Sequence, residues 1–214
     1  WSQLFSEPGS GSDLASLSTK AVDDGDGYIV NGQKVWTTLG HLAKWGLLVT
    51  RTDPNAPKHR GLTFFIVDME SAGVEVRPLR QITGEAEFNE VYFTDTKIPK
   101  ENILGGLGEG WRVSLATLMN ERVAIGGNVR ERGSGAPGHL VQIWKDKDLK
   151  DPIQKDKLIE LWIQQEAVRL TNIRASELRE KGTPGPEGST SKLYEAEINK
   201  ASYEFGMELL GNDG

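Results

Sequence analysis

The chain has no cysteine and only three histidines in 214 residues. The first absence rules out disulfides and thiolate metal sites, and it leaves cysteine usage silent on compartment. His41, His59 and His139 stand far apart without ligand spacing, so ordinary surface histidines are expected rather than a metal centre. No apolar run approaches the ~18 residues of a spanning helix, and no membrane partner is expected. Positive charge is also in deficit. Lys and Arg number 25 against 31 Asp and Glu, a net charge of −6, which argues against a general nucleic-acid binder. Ser10, Ser12 and Asp13 have no evident histidine partner, and no nucleophile-elbow pattern occurs. Gly9-Ser10-Gly11 and Gly106-Leu107-Gly108 both fail the dinucleotide fingerprint, which needs a third glycine between a parallel strand and a helix.

What is present changes character near residue 108. Before it, short β-rich runs alternate with turns: Tyr28–Trp36, Trp45–Arg51, Leu62–Asp68, Val74–Leu79 and Glu90–Phe93. Asp26-Gly27, Asn31-Gly32, Asp53-Pro54 and Ala72-Gly73 supply turn signals. Strands without intervening helices predict an antiparallel barrel or sandwich. From Trp111, Val113, Leu115, Leu118, Met119, Arg122 and Ile125 recur at helical steps. Residues 133–138 read as a loop. Asp151-Pro152 reads as an N-cap followed by Pro in the first turn, opening a helix to about Lys181. Its expected buried stripe is Ile153, Leu158, Leu161, Trp162, Ala167, Val168, Leu170 and Ile173. Residues 183–188 form a second loop, and a last helix starts at Ser189 or Thr190 and runs to about Leu210. The fold class is α+β: an antiparallel β-barrel domain over 1–108, then a helical-bundle segment over 109–214.

Two segments carry the chemistry. Phe5-Ser6-Glu7-Pro8-Gly9-Ser10-Gly11-Ser12-Asp13 combines glycines with short hydroxyl donors, and Asn31-Gly32-Gln33-Lys34-Val35-Trp36-Thr37-Thr38 ends a strand in Trp-Thr-Thr. Gly9 and Gly11 let backbone amides approach a ligand closely, and Trp36 offers a flat face for a ring. In this order and spacing the pair resembles the flavin-binding segments of the acyl-CoA dehydrogenase family. There a Thr/Ser-Glu-Pro-x-x-Gly-Ser-Asp run precedes a Gly-x-Lys-x-Trp-x-Thr run. The resemblance extends over the chain, strongest from 4 to 127, and is of a bacterial, actinobacterial-type branch. It implies a fragment: the middle domain plus part of the C-terminal domain, without the family's N-terminal helical domain.

The resemblance implies FAD as cofactor, held by Leu4, Phe5, Ser6, Gly11, Ser12, Trp36, Thr37 and Thr38. Phe5 and Ser6 would face the pyrimidine and N5 edge, Trp36 would pack near the ring, and the Thr38 hydroxyl would lie close to N5. Ser12 would meet the flavin pyrophosphate or the head of an acyl-CoA substrate, and Arg122 would lie near that substrate. Ser6 stands where the family usually has Thr, and Thr37 where it has Ile. The implied reaction is α,β-dehydrogenation of an acyl-CoA thioester to the trans-2-enoyl product, with electron-transferring flavoprotein or a similar acceptor reoxidising the flavin. A homo- or hetero-oligomer, dimer or tetramer, and a cytoplasmic location follow from the same resemblance.

A carboxylate is the usual base for such a reaction, and its pKa would be raised in a water-poor pocket. Glu121 shares its helix face with Ser114, Thr117, Ala124 and Ile125, mostly small residues that leave room for a ligand chain. The run Leu118–Ala124 looks like the helix that carries the base in the isovaleryl-CoA and long-chain members. Other members place their Glu later, beside a Gly-Thr pair, which would fall beyond Gly214. Taken alone, a mid-helix Glu beside Arg122 also fits a solvated ion pair. Arg130-Glu131-Arg132-Gly133-Ser134-Gly135 replaces an Arg-x-x-Phe-Gly stretch that in many members reaches a neighbouring subunit's adenine, so those contacts do not carry over. The rival readings are an acyl-CoA oxidase, a non-catalytic subunit of a heteromer, and a flavin-free binding module.

Overall fold

The computed structural model describes residues 1–126, 129–182 and 185–211, with backbone alone for 122–126. These residues divide into two compact units, Trp1–Thr117 and Leu118–Gly214.

In the first unit seven strands form one curled sheet, a half-barrel. The strands are β1 (Ser2–Leu4), β2 (Lys20–Asp23), β3 (Gly27–Thr38), β4 (Trp45–Arg51), β5 (Leu62–Asp68), β6 (Val74–Leu79) and β7 (Phe88–Pro99). Runs such as Leu62-Thr63-Phe64-Phe65-Ile66-Val67 are dense in β-branched and aromatic residues, which pack well on a pleated, covered surface. β5 lies antiparallel along one edge of β4, from Trp45↔Asp68 to Arg51↔Leu62. The other edge of β4 is shared. β1 runs parallel to Gly46–Leu48, and β2 meets Arg51 through Lys20, also in parallel. β2, β3, β7 and β6 then follow in antiparallel order. Leu4, Val30, Leu48, Phe65, Val67, Val91 and Ile98 close the core beneath the sheet.

The sheet is therefore mainly antiparallel, as the turn-separated runs predict, but β1 and β2 add two parallel pairings that the sequence did not announce. They are only three and four residues long, too short to show a period of two. Asn31-Gly32 makes no turn. β3 continues through it, with a register shift against β7 between Val30 and Gly32, and Gly32 is there because Thr19 crosses so close that a Cβ would sit 2.7 Å from the Thr19 Cα.

Helix α1 (Gly110–Gly126) starts against the first unit. Gly110 lies so near β5 that an added Cβ would meet the Leu62 carbonyl carbon and the Thr63 nitrogen at 2.7 Å each. The Gly108 amide donates to Thr63 Oγ1 at 3.0 Å. These contacts fix where the helix begins. Leu115 and Met119, two of the residues recurring at helical steps, are exposed.

The second unit holds α2 (Ala136–Asp146), α3 (Pro152–Glu180) and α4 (Glu187–Leu210). The Asp151 side chain accepts from the Ile153 and Gln154 amides at 2.8 and 3.2 Å, so the expected N-cap is formed. The buried residues of α3 are Leu158, Leu161, Gln165, Val168, Asn172 and Ala175, a strict three- and four-residue alternation. Ile153 and Leu170 fall off that line and are exposed, so the expected stripe was too broad. α2 begins inside the stretch read as a loop, because Pro137 is tolerated in a first helical turn. Leu140 of α2 packs with Leu158, Leu161, Phe205 and Leu209. α4 starts at Glu187, slightly before the expected Ser189.

Candidate functional site

The glycine-serine segment is built as a tight turn. Glu7 and Ser10 exchange backbone hydrogen bonds of 2.9 and 3.0 Å across Pro8-Gly9. Ser10 is buried, and its hydroxyl donates to the Asp13 carbonyl at 2.8 Å, which closes the next turn. Arg51 fastens the short 3-10 turn at Leu14–Ser16 by donating to the Ala15 and Leu17 carbonyls. Gly11 and Ser12 are exposed on the outer side, and no atom lies within 4 Å of where a Cβ at Gly9 or Gly11 would stand. The chain itself does not require glycine at either position, and the backbone there is open to a ligand.

Leu4 and Phe5 are buried and Ser6 is half-buried. The Ser6 carbonyl accepts from the Val35 amide at 2.9 Å, and the Thr38 carbonyl accepts from Ser2 Oγ at 2.8 Å. Residues 4–6 and 35–38, far apart in sequence, are thus laid side by side.

A bulge presents Trp36. Lys34 pairs with Val91 and Thr37 with Asn89, so β3 spends three residues where β7 spends two. Trp36 takes a left-handed φ of 61° and stands 62% exposed between buried Val35 and Thr37. Its ring meets Phe88 edge-on, with centroids 6.0 Å apart. A bulky residue in this backbone region stores strain, commonly at sites where the side chain must be aimed. Behind the bulge, Asn89 is fully buried and donates to the Thr37 carbonyl at 3.0 Å, while its own oxygen lies 3.1 Å from His41 Nδ1. Thr37 Oγ1 is buried with no partner among the described residues. Thr38 is exposed beside it. An aromatic face, an unpaired hydroxyl and open backbone suit the flat ring and polar edge of a flavin.

Two residues of these segments were given no role from sequence. Lys34 is fully buried, and its Nζ donates to the Phe5 carbonyl and to Glu7 Oε1, both at 2.9 Å. Glu7 Oε1 also accepts from the Thr19 amide at 2.9 Å, and Oε2 accepts from the Ser18 amide and hydroxyl at 2.7 and 2.8 Å. Burial pushes the Glu7 carboxyl up, but the Lys34 charge and the hydrogen bonds from Thr19, Lys34 and Ser18 prevail and hold it at about 2. Burial pulls Lys34 down to about 8, against the Glu7 carboxylate that acts to raise it. The signal was in the alternation: Lys34 has the parity of Tyr28 and Val30, the inward face of β3.

Glu121 sits half-buried on α1, in the second unit. On its face Thr117 and Ser114 turn their hydroxyls back to the Val113 and Gly110 carbonyls, at 3.0 and 2.8 Å. The side chains of Arg122, Ala124 and Ile125 lie outside the described residues. Arg130 pairs with Glu195 at 2.7 Å, and Arg132 stacks over Trp162 and reaches Glu166 at 3.5 Å, all within the second unit. No group of three or more acidic or histidine side chains suited to a metal ion occurs among the described residues.

Comparison with known proteins places this geometry. Residues 2–96 match the acyl-CoA dehydrogenase middle domain and residues 108–214 the acyl-CoA dehydrogenase C-terminal domain. The chain is 44% identical over 220 residues to acyl-CoA dehydrogenase FadE34 of Mycobacterium tuberculosis, covering all of this chain and 30% of that protein. Among solved structures it resembles the ChsE4–ChsE5 complex of Mycobacterium tuberculosis, with TM-score 0.83 and 32% identity over 99% of this chain and 56% of the other. It also resembles the Tcur3481–Tcur3483 steroid acyl-CoA dehydrogenase, with TM-score 0.84 and 28% identity over 98% and 55%. The chain thus spans from about a third to just over half the length of these relatives. With both domain matches end to end along it, and the Ser-Glu-Pro and Trp-Thr-Thr segments brought together on its sheet, this chain belongs to the acyl-CoA dehydrogenase family.

Proposed function

We propose that the protein carrying this chain is a FAD-dependent acyl-CoA dehydrogenase that converts an acyl-CoA thioester to its trans-2-enoyl product. The observation that carries this reading is the junction of residues 4–6 with residues 35–38, with Trp36 turned outward by the bulge. Leu4, Phe5, Ser6, Gly11, Ser12, Trp36, Thr37 and Thr38 would hold the cofactor. When bound, FAD supplies a two-electron acceptor for the hydrogen leaving the β-carbon as hydride. Glu121 receives the α-proton on its carboxylate, and Arg122 and Ser12 serve substrate binding. The buried Glu7–Lys34 pair keeps the Phe5 carbonyl turned inward and leaves the outer side of the segment free.

Reoxidation then falls to an external acceptor such as electron-transferring flavoprotein. The heteromeric ChsE4–ChsE5 relative supports assembly as an oligomer, homomeric or heteromeric. The steroid relative supports including steroid-derived side chains among the acyl groups to be tried, in a lipid-degrading, β-oxidation context. No described helix is long and apolar enough to cross a membrane, and a cytoplasmic setting is part of the proposal.

Flavin uptake tests the reading. The purified protein should be yellow, or become so on adding FAD. Trp36→Gly removes a left-handed strain of roughly 1–2 kcal/mol and adds a comparable backbone entropy penalty. Its thermal midpoint should stay near that of the wild type while FAD affinity drops. A Trp36→Gly protein that binds FAD as tightly as the wild type would remove Trp36 from the site.

A further inference from the structure

Resting on the flavin reading, we propose that the buried Glu7–Lys34 pair is a positioning device for FAD, which sets the backbone of Phe5 and Ser6 against Trp36 without touching the cofactor. The pair lies directly behind the two segments. Glu7 follows Ser6 in sequence, and Lys34 precedes Trp36 by two residues. Through five hydrogen bonds it joins three stretches: the Phe5 carbonyl, β3 at Lys34, and the Ser18–Thr19 approach to β2.

Two further features are arranged around it. Gly32 gives way so that Thr19 comes near enough for its amide to reach Glu7 Oε1. The Ser6 carbonyl is then taken by Val35, the residue between Lys34 and Trp36. The bonds through Lys34 Nζ and Glu7 Oε1 are buried, so the loop has one register relative to the bulge.

Stability alone does not account for charge at this place. A buried ion pair contributes little compared with apolar side chains of the same volume, because desolvation of both ions offsets their attraction. What charge and directed hydrogen bonds add is orientation: the carbonyl of Phe5 faces the ammonium, and the carboxylate faces the same ammonium together with the Ser18 and Thr19 donors. An apolar pair would fill the space and leave the loop free to shift by a fraction of an ångström.

Glu7→Gln/Lys34→Met tests this, because it removes both charges at nearly constant volume. Expected is a protein that still folds, with a thermal midpoint somewhat lowered by the Phe5 carbonyl left without its donor, and with FAD affinity weakened about tenfold or more, the scale of one well-placed hydrogen bond. The visible circular dichroism of the bound flavin should change as well, and amide hydrogen exchange over residues 5–10 should quicken in the flavin-free protein. Ser18→Ala, at an exposed residue, keeps the test open should the double variant not fold. It removes one of the donors to Glu7 Oε2 and should weaken FAD binding a few-fold, ~3 to 10, at unchanged midpoint. Wild-type FAD affinity, dichroism and exchange in either folded variant overturn the inference while the flavin reading stands. A wild-type protein that takes up no FAD overturns the flavin reading, and quickened exchange would then leave the pair a tether without a cofactor role.

Discussion

Glu121→Gln should lower the rate of acyl-CoA dehydrogenation by about 10²- to 10⁴-fold, the range a positioned general base contributes. The amide keeps the size and the helix of the native residue but has no lone pair basic enough to take an α-proton. Glu121 stands half-buried on a face where Thr117 and Ser114 spend their hydroxyls on the helix backbone, so they compete little for its carboxylate. Binding of the thioester should persist, because the substitution removes charge rather than bulk. The readout is the single-turnover rate of flavin reduction, separated from affinity by titration. A Glu121→Gln protein that reduces its flavin at the wild-type rate would assign the base to another carboxylate.

Lys34→Met alone should destabilise the protein by about 3–5 kcal/mol, since removing one partner leaves a buried carboxylate uncompensated. Urea unfolding at neutral pH measures it. The effect carries a pH signature. Glu7 is held at about 2, below its ordinary 4.5, so its contribution is present above about 4.5 and lost as pH falls toward 2. Without Lys34 the lone carboxyl protonates more readily. The gap between wild type and Lys34→Met should therefore narrow as pH falls through that window. Lys34 acts in the other direction. Its pKa is depressed to about 8 from 10.5, so the unfolded chain binds more protons between those values, and the contribution of this group to stability rises with pH there. A Lys34→Met protein as stable as the wild type at neutral pH would contradict the account of the pair.

Much of the fold was legible because local chemistry agreed with the final structure. Asp151-Pro152 announces a cap and a first turn, and both are there. The strands at 45–51, 62–68 and 74–79 have the expected bounds, because turn residues and β-rich runs coincide. The misses have physical causes. β1 is stabilised by its place beside β4 and β2 by its ladder with β3, not by any period of their own. α2 hides behind Gly133 to Gly138, since a glycine- and proline-rich start resembles a loop until Leu140 finds the core of its unit. Asn31-Gly32 has turn chemistry, but tertiary crowding from Thr19 decides its use.

The site divides in the same way. Ser6, Trp36 and Thr38 are proposed from the motif, while the left-handed turn at Trp36 depends on a register shift against β7 that no stretch of β3 reveals by itself. Lys34 was overlooked because a charged residue reads as solvent-facing. Its partner, 27 residues earlier, is what permits it inside.

The most direct measurement is anaerobic titration of the flavin-loaded protein with saturated acyl-CoA thioesters, straight-chain and steroid-derived, while the visible flavin absorption is followed. The account expects one class of thioester to bleach the flavin stoichiometrically and to be recovered as the trans-2-enoyl product. A flavin that stays oxidised with every thioester would contradict it.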